Sequence, residues 1–202
     1  MKDTLIIGLT GNIGTGKTTV LKLLRAYGAC TIDADDVAHE VIQPGQPAHA
    51  QVVAAFGQEI LDDSGIIDRK RLGQIVFNDP NKLARLEHLI HPAIIARINA
   101  LIEAANEAVV VIEAIKLLEA GMAATLCDQV WVVTSPVEQQ IERLMAERGM
   151  TRAAALARLS SQSPQSFKVS QADVVIDNSG SLAQLERQVQ AAWQRLPLFV
   201  PA

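Results

Sequence analysis

Apolar residues in this chain fall into short continuous runs rather than strict alternation. TLIIGLT (Thr4 to Thr10), CTID (Cys30 to Asp33), VVVIE (Val109 to Glu113), QVWVVT (Gln129 to Thr134) and DVVID (Asp173 to Asp177) are brief and mostly β-branched. Such runs predict strands covered on both faces. The stretches between them have helical spacing. KTTVLKLLRAYG sets Val20, Leu21, Leu23 and Leu24 along a helix that Gly28 stops. Five strands separated by helices, without tight-turn pairs, predict an α/β sandwich of three layers around a five-stranded parallel sheet. One interval breaks the rhythm. Residues 34–108 separate the second run from the third, where a crossover needs about a dozen. A helical insertion over 34–107 is expected there, and within it Asn81 to Ala105 keeps a helical rhythm that Pro92 either kinks or divides. Thr151 to Gln162 reads as a short, arginine-bearing helix before the fifth strand. With no repeats and no low-complexity tract, one domain over 1–202 is expected.

Composition narrows the class. With 49% hydrophobic and 20% charged residues in 202, the chain can bury one sizeable core and is unlike a disordered polymer. A net charge of −4 and a supply of four Phe, two Trp and one Tyr argue against a nucleic-acid partner, which needs positive charge and stacking surface. Cys30 and Cys127 lie far apart without ligand-like spacing, so reduced, buried thiols are expected rather than a bridge. The N-terminal residues pass directly into the first strand without a signal-peptide layout, and no apolar run approaches a membrane-spanning length. A cytoplasmic protein, monomeric or weakly homo-oligomeric and with no membrane partner, is expected.

The candidate chemistry lies where the strands end, because ligands of open parallel sheets gather beyond the carboxyl ends of the strands. Those exits are Gly11, Asp33, Glu113 and Thr134. From Gly11 the chain spells G-N-I-G-T-G-K-T, the complete phosphate-loop pattern between a predicted strand and a predicted helix. Backbone amides of Gly11, Asn12, Ile13, Gly14, Thr15 and Gly16, continuing through Lys17, Thr18 and Thr19, would cradle the phosphates of a nucleoside triphosphate at the helix N-terminus. Lys17 would neutralise the β- and γ-phosphates, and the Thr18 hydroxyl would ligate Mg²⁺. A guanine-reading N-K-x-D motif is missing: the Asn-Lys pair, Asn81-Lys82, continues Leu83-Ala84.

Asp33 and Asp35, at the mouth of the second strand, supply carboxylates for taking a proton from an acceptor hydroxyl and for holding the water shell of a metal. Capping the next helix is the competing role for this Asp-x-Asp. His39 and His91 each suit either a contact with an acceptor phosphate or, the more ordinary role of a lone histidine, a position on a helix face. Glu113 and Glu119 compete as the acidic residue of the metal site. Arg143, Arg148, Arg152 and Arg158 fall where small kinases keep a helical lid, here approximately 143–168. A kinase of a small acceptor, a nucleoside monophosphate included, and a regulatory ATPase are both compatible with these residues.

GLTGNIGTGKTT, DADDVAHEV (Asp33 to Val41), the stretch Phe56 to Ile94 with its His-Pro pair, and ADVVIDNSGSL (Ala172 to Leu182) together resemble the dephospho-coenzyme A kinase family nearly end to end. The resemblance implies a P-loop kinase fold, an inserted substrate-binding subdomain, and ATP-dependent phosphorylation of the ribose 3′-hydroxyl of dephospho-coenzyme A, the last step of coenzyme A biosynthesis. It implies catalytic roles for Thr10, Lys17, Asp33, Asp35 and Arg143. Asp33 would be shared between metal and acceptor, with Asp35, farther past the strand, as the base. Asp33, His39, Arg69 and His91 would face the acceptor. Two stretches depart from the family pattern. Ile115-Lys116-Leu117-Leu118-Glu119 stands where Pro-Leu-Leu-Phe-Glu is usual, and Glu147-Arg148 replaces an Arg-Asp pair in the lid.

Overall fold

The computed structural model describes residues 4–77 and 79–198. The chain runs β1 (Leu5–Thr10), α1 (Lys17–Ala26), β2 (Cys30–Asp33), α2 (Ala34–Glu40), α3 (Pro47–Phe56), a 3₁₀ turn (Gln58–Ile60), α4 (Arg69–Val76) and α5 (Pro80–Ala104). It continues through β3 (Val109–Glu113), α6 (Met122–Leu126), β4 (Gln129–Thr134), α7 (Val137–Arg148), α8 (Arg152–Ser160), α9 (Gln165–Ser170), β5 (Val174–Asp177) and α10 (Leu182–Gln194). Two compact units result, one taking in the chain up to Thr31 and from Ala105 onward, the other Ile32–Ala104.

A five-stranded parallel sheet, in the order β2-β3-β1-β4-β5, organises the first unit. Ile7 of β1 stands opposite Val111 of β3 and Gln129 of β4, and Trp131 stands opposite Val174 of β5. Alternate residues point to one face, so Ile7, Leu9, Val109, Val111, Trp131 and Val133 join a core with Val20 and Leu24 of α1 and Leu185 and Val189 of α10. Val110, Ile112, Val130 and Val132 are also buried. Both faces are therefore covered, which is why the strands read as unbroken apolar runs; each such side chain contributes roughly 1.5–3 kcal/mol. Ser181 and Gln184 close a capping box at the start of α10, satisfying two orphan donors reciprocally.

The second unit is helical. Its α5 packs against α2, α3 and α4 and buries Ile94 and Ile98, alongside buried Val52, Ile60 and Leu72. Pro92 lies inside α5 and neither ends nor divides it; the loss is one backbone hydrogen bond in a helix otherwise held by tertiary packing. Arg97 pairs with Glu40 at 2.9 Å, linking α5 to α2. Among the described residues no helix is long and apolar enough to cross a membrane. Both cysteines are free thiols as expected, but half-buried rather than buried. Cys127 sits near the β1 residue Gly8, where an added Cβ would come within 2.8 Å of its sulfur. Burial and the neighbouring Asp128 push this thiol up to about 12.

Candidate active site

Between β1 and α1 the chain makes three turns that only glycine accommodates easily. Gly11, Gly14 and Gly16 have φ of 150°, 77° and 93°, whereas no other residue type among those described has a positive φ. Space imposes the same choice. A Cβ on Gly11 would strike the Val133 carbonyl, one on Gly14 would lie 2.8 Å from the Gln140 carbonyl, and one on Gly16 would strike the Asn178 side-chain amide.

The loop's carbonyls are held from behind. Thr15, fully buried, donates its hydroxyl to the Asn12 carbonyl at 2.9 Å. Asn178 donates its side-chain amide to the Thr15 carbonyl at 2.8 Å. Arg143 of α7 reaches under the loop and donates to the Gly14 and Thr15 carbonyls at 3.1 and 3.2 Å, and to the Asn178 carbonyl at 2.9 Å. In a trans peptide the C=O and the following N–H point opposite ways. Anchoring the Thr15 carbonyl twice therefore turns the Gly16 N–H to the other side, where α1 begins. Gly16 is the N-cap of α1, and no side chain caps that end. The first-turn donors and the positive end of the helix dipole are thus presented to an anion.

Lys17 opens α1. Its ammonium donates to the Gly11 carbonyl at 2.9 Å and lies 3.5 Å from the Glu113 carboxylate, with side-chain exposures of 10% and 13%. Thr18 is exposed and Thr19 half-buried on the same turn. Thr10, the last residue of β1, is fully buried and donates its hydroxyl to the Ile115 carbonyl at 3.1 Å. The turn joining α8 to α9 also meets the loop: Gln162 accepts from the Ile13 amide at 2.9 Å, and the Ser163 carbonyl accepts from the Asn12 side chain at 3.3 Å.

Of the four arginines expected in a lid, Arg143 alone is hydrogen-bonded to the loop in this way. Arg152 pairs with Glu138, while Arg148 and Arg158 are exposed. Glu119 pairs with the buried Lys168 at 2.8 Å, so among the two competing carboxylates it is Glu113 that lies beside Lys17.

In the second unit Asp33 ends β2 and caps α2, its carboxylate accepting from the amides of Asp35 at 2.9 Å and Asp36 at 3.3 Å. The capping role is real. It also fixes the backbone of Asp35, an exposed residue that shares a helix face with His39 four residues on. Arg69 is exposed at the first position of α4, behind the Asp68 cap. His91 is half-buried on α5, with its Nε2 enclosed and without a hydrogen-bond partner.

Sequence reasoning did not single out Asn178, Gln162 or Lys168. Asn178 had an available signal, since it follows β5 as the other exits follow their strands. Gln162 and Lys168 had none, because their partners are remote in the chain.

A dephospho-CoA kinase family model matches residues 5–184. The dephospho-CoA kinase of Thermobifida fusca is 43% identical over 190 residues, covering 94% of this chain and 95% of that protein. A crystal structure from Thermus thermophilus superposes with a TM-score of 0.84 at 33% identity, covering 96% of this chain and 98% of the other. The dephospho-CoA kinase of Campylobacter jejuni gives a TM-score of 0.69 at 30% identity, covering 97% and 98%.

Proposed function

Because this chain belongs to the dephospho-CoA kinase family, we propose that it transfers the γ-phosphoryl group of ATP to the ribose 3′-hydroxyl of dephospho-coenzyme A, giving coenzyme A and ADP. The observation that carries the reading is the braced glycine loop, whose anchored Thr15 carbonyl leaves the Gly16 amide and the uncapped start of α1 available to an anion, with Lys17 as the first residue of that helix. Phosphoryl transfer asks the protein mainly for positioning and charge, and each residue here has a part in that.

The loop amides from Gly11 to Thr19 hold the ATP phosphates. Lys17, oriented by Glu113, provides the counter-charge that grows in value as negative charge moves between the β- and γ-oxygens. Arg143 adds a second fixed positive charge beneath the loop and keeps its carbonyls turned away from the nucleotide. Asp35, aimed by the Asp33 cap, takes the proton from the 3′-hydroxyl as that oxygen attacks. Thr10 fixes the root of the loop. His39, Arg69 and His91 contact the acceptor, and the unpartnered Nε2 of His91 suits a polar group of that molecule.

Among the described residues no three His, Cys, Asp or Glu side chains gather into a metal site. Mg²⁺ takes most of its oxygens from phosphate and water, so it asks for few protein donors, and the exposed Thr18 hydroxyl on the first turn of α1, with Asp33, would hold it. When bound, Mg²⁺ would supply positive charge against the negative charge of the phosphates. Both substrates are small, anionic and water-soluble, which suits a cytoplasmic enzyme.

The test is a coupled assay of ADP release with dephospho-coenzyme A, with nucleoside monophosphates and with no acceptor, the product being located by phosphorus NMR. ADP release strictly dependent on dephospho-coenzyme A, with new 3′-phosphate, is expected. Faster turnover on a nucleoside monophosphate, or turnover indifferent to acceptor, would overturn the reading.

A further inference from the structure

Beneath the loop lies a polar cluster that the phosphate chemistry leaves unexplained. Lys168 of α9 is fully buried, and a lone ammonium is costly to enclose unless paired and hydrogen-bonded. Its Nζ donates to the Glu119 carboxylate at 2.8 Å and to the Ile115 carbonyl at 2.7 Å. Ile115 stands two residues past Glu113, and its carbonyl also accepts the Thr10 hydroxyl at 3.1 Å. One carbonyl thus joins the root of the loop to the exit of β3. Ser163 also hydrogen-bonds the Glu119 carboxylate. Burial alone would push the Glu119 carboxyl up, yet hydrogen bonds from Lys168 and Ser163 outweigh it and hold the group below its usual value. Ser163 in turn accepts from Asn12 of the loop.

The pair therefore grips two parts of the site at once. An ion pair placed merely to hold helices together is often replaceable by apolar residues without loss. This one ends on the Ile115 carbonyl, two residues past Glu113, which also accepts from Thr10, and on Ser163, whose carbonyl accepts from Asn12.

We propose that Lys168, paired with Glu119, is a positioning residue for phosphoryl transfer, holding the Ile115 carbonyl so that the Thr10 hydroxyl and the Glu113 carboxylate stay in register with Lys17. This rests on the kinase reading above. A displacement near 1 Å at a reacting group costs on the order of 10²-fold in rate, so the effect belongs in kcat rather than in the KM for ATP.

The experiment compares full-length wild type with Lys168→Met, Lys168→Arg, Glu119→Gln, the double variant Lys168→Met with Glu119→Gln, Thr10→Val, and Thr10→Val with Lys168→Met, by steady-state kinetics and thermal melting. Lys168→Met is expected to lower kcat about 10- to 100-fold with little change in the KM for ATP. Lys168→Arg, which keeps a charged donor, recovers most of the loss. In the Thr10→Val background the further loss from Lys168→Met shrinks well below its effect alone, because both act through one carbonyl. The double charge removal melts near wild type while remaining slow. Should Lys168→Met not fold, Glu119→Gln, which keeps an acceptor for Lys168, carries the test through a smaller kcat loss. Wild-type kcat in the folded double variant, wild-type kcat in Glu119→Gln, or losses that simply multiply with Thr10→Val would each overturn the proposal. Wild-type turnover of dephospho-coenzyme A tests the kinase reading separately. If that turnover is absent, the same variants are compared on slow ATP hydrolysis, where equal rates overturn the role of Lys168.

Discussion

Gly16 carries three constraints at once: a φ of 93°, the N-cap position of α1, and contact with the Asn178 side chain close enough to refuse a Cβ. Its neighbour Lys17 carries charge, together with a hydrogen bond to the Gly11 carbonyl. That difference separates what substitution does at the two positions. Lys17→Ala removes a largely enclosed side chain whose ammonium supplies the fixed charge of the loop, so the circular dichroism spectrum should stay native while kcat falls at least about 10²–10³-fold. Near-normal turnover in a folded Lys17→Ala protein would place the phosphate site elsewhere. Cys127 offers a separate check at this scale. With its thiol pushed up to about 12, only about one molecule in 10⁴ is thiolate at pH 8. Cys30 is also raised, by burial first and by Glu107 next, but is far less enclosed. Iodoacetamide should therefore modify Cys30 well before Cys127, as peptide mass mapping over time would register; the reverse order would contradict the packing around Gly8.

Among the elements, α2 shows how a structural role and a chemical one share two carboxylates. Asp33 caps the helix through two backbone amides, and asparagine is an equally good cap. Asp33→Asn should therefore keep α2 and lose only the charge, whereas Asp35→Asn keeps the helix and removes the proton acceptor. We expect Asp35→Asn to lower kcat about 10²–10⁴-fold and Asp33→Asn to lower it less, with unchanged melting in both. An Asp35→Asn enzyme as fast as wild type would exclude it as the base. The strands and α1 were legible from the chain because their signals are local: unbroken apolar runs, a glycine stop at Gly28, a phosphate-loop pattern. The ambiguity at Pro92 was not resolvable locally, since whether a proline-bearing helix stays whole depends on what it packs against. In α5 the burial of Ile94 and Ile98 just past the proline supplies that packing.

For the whole molecule, a ligand that binds only the folded chain adds stability by mass action. MgATP at 100 times its Kd should contribute about 2.7 kcal/mol, a rise of roughly 5–10 °C in melting temperature for a chain of this size. Lys17→Ala should lose most of that rise. An equal rise in the variant would mean that the nucleotide binds without the loop. Amino-acid order by itself determined the strand set, the glycine loop and the placing of Asp33 and Asp35 at the start of α2, because each rests on contacts between residues close in the chain. The strand order β2-β3-β1-β4-β5, the bracing of the loop by Arg143 and Asn178 from 128 to 163 residues away, and the grip of Lys168 on Ile115 were decided only by tertiary structure. A carbonyl accepts from whichever donor the fold brings within hydrogen-bond reach. Strand order and helix packing choose that donor, and neither leaves a local trace in the sequence.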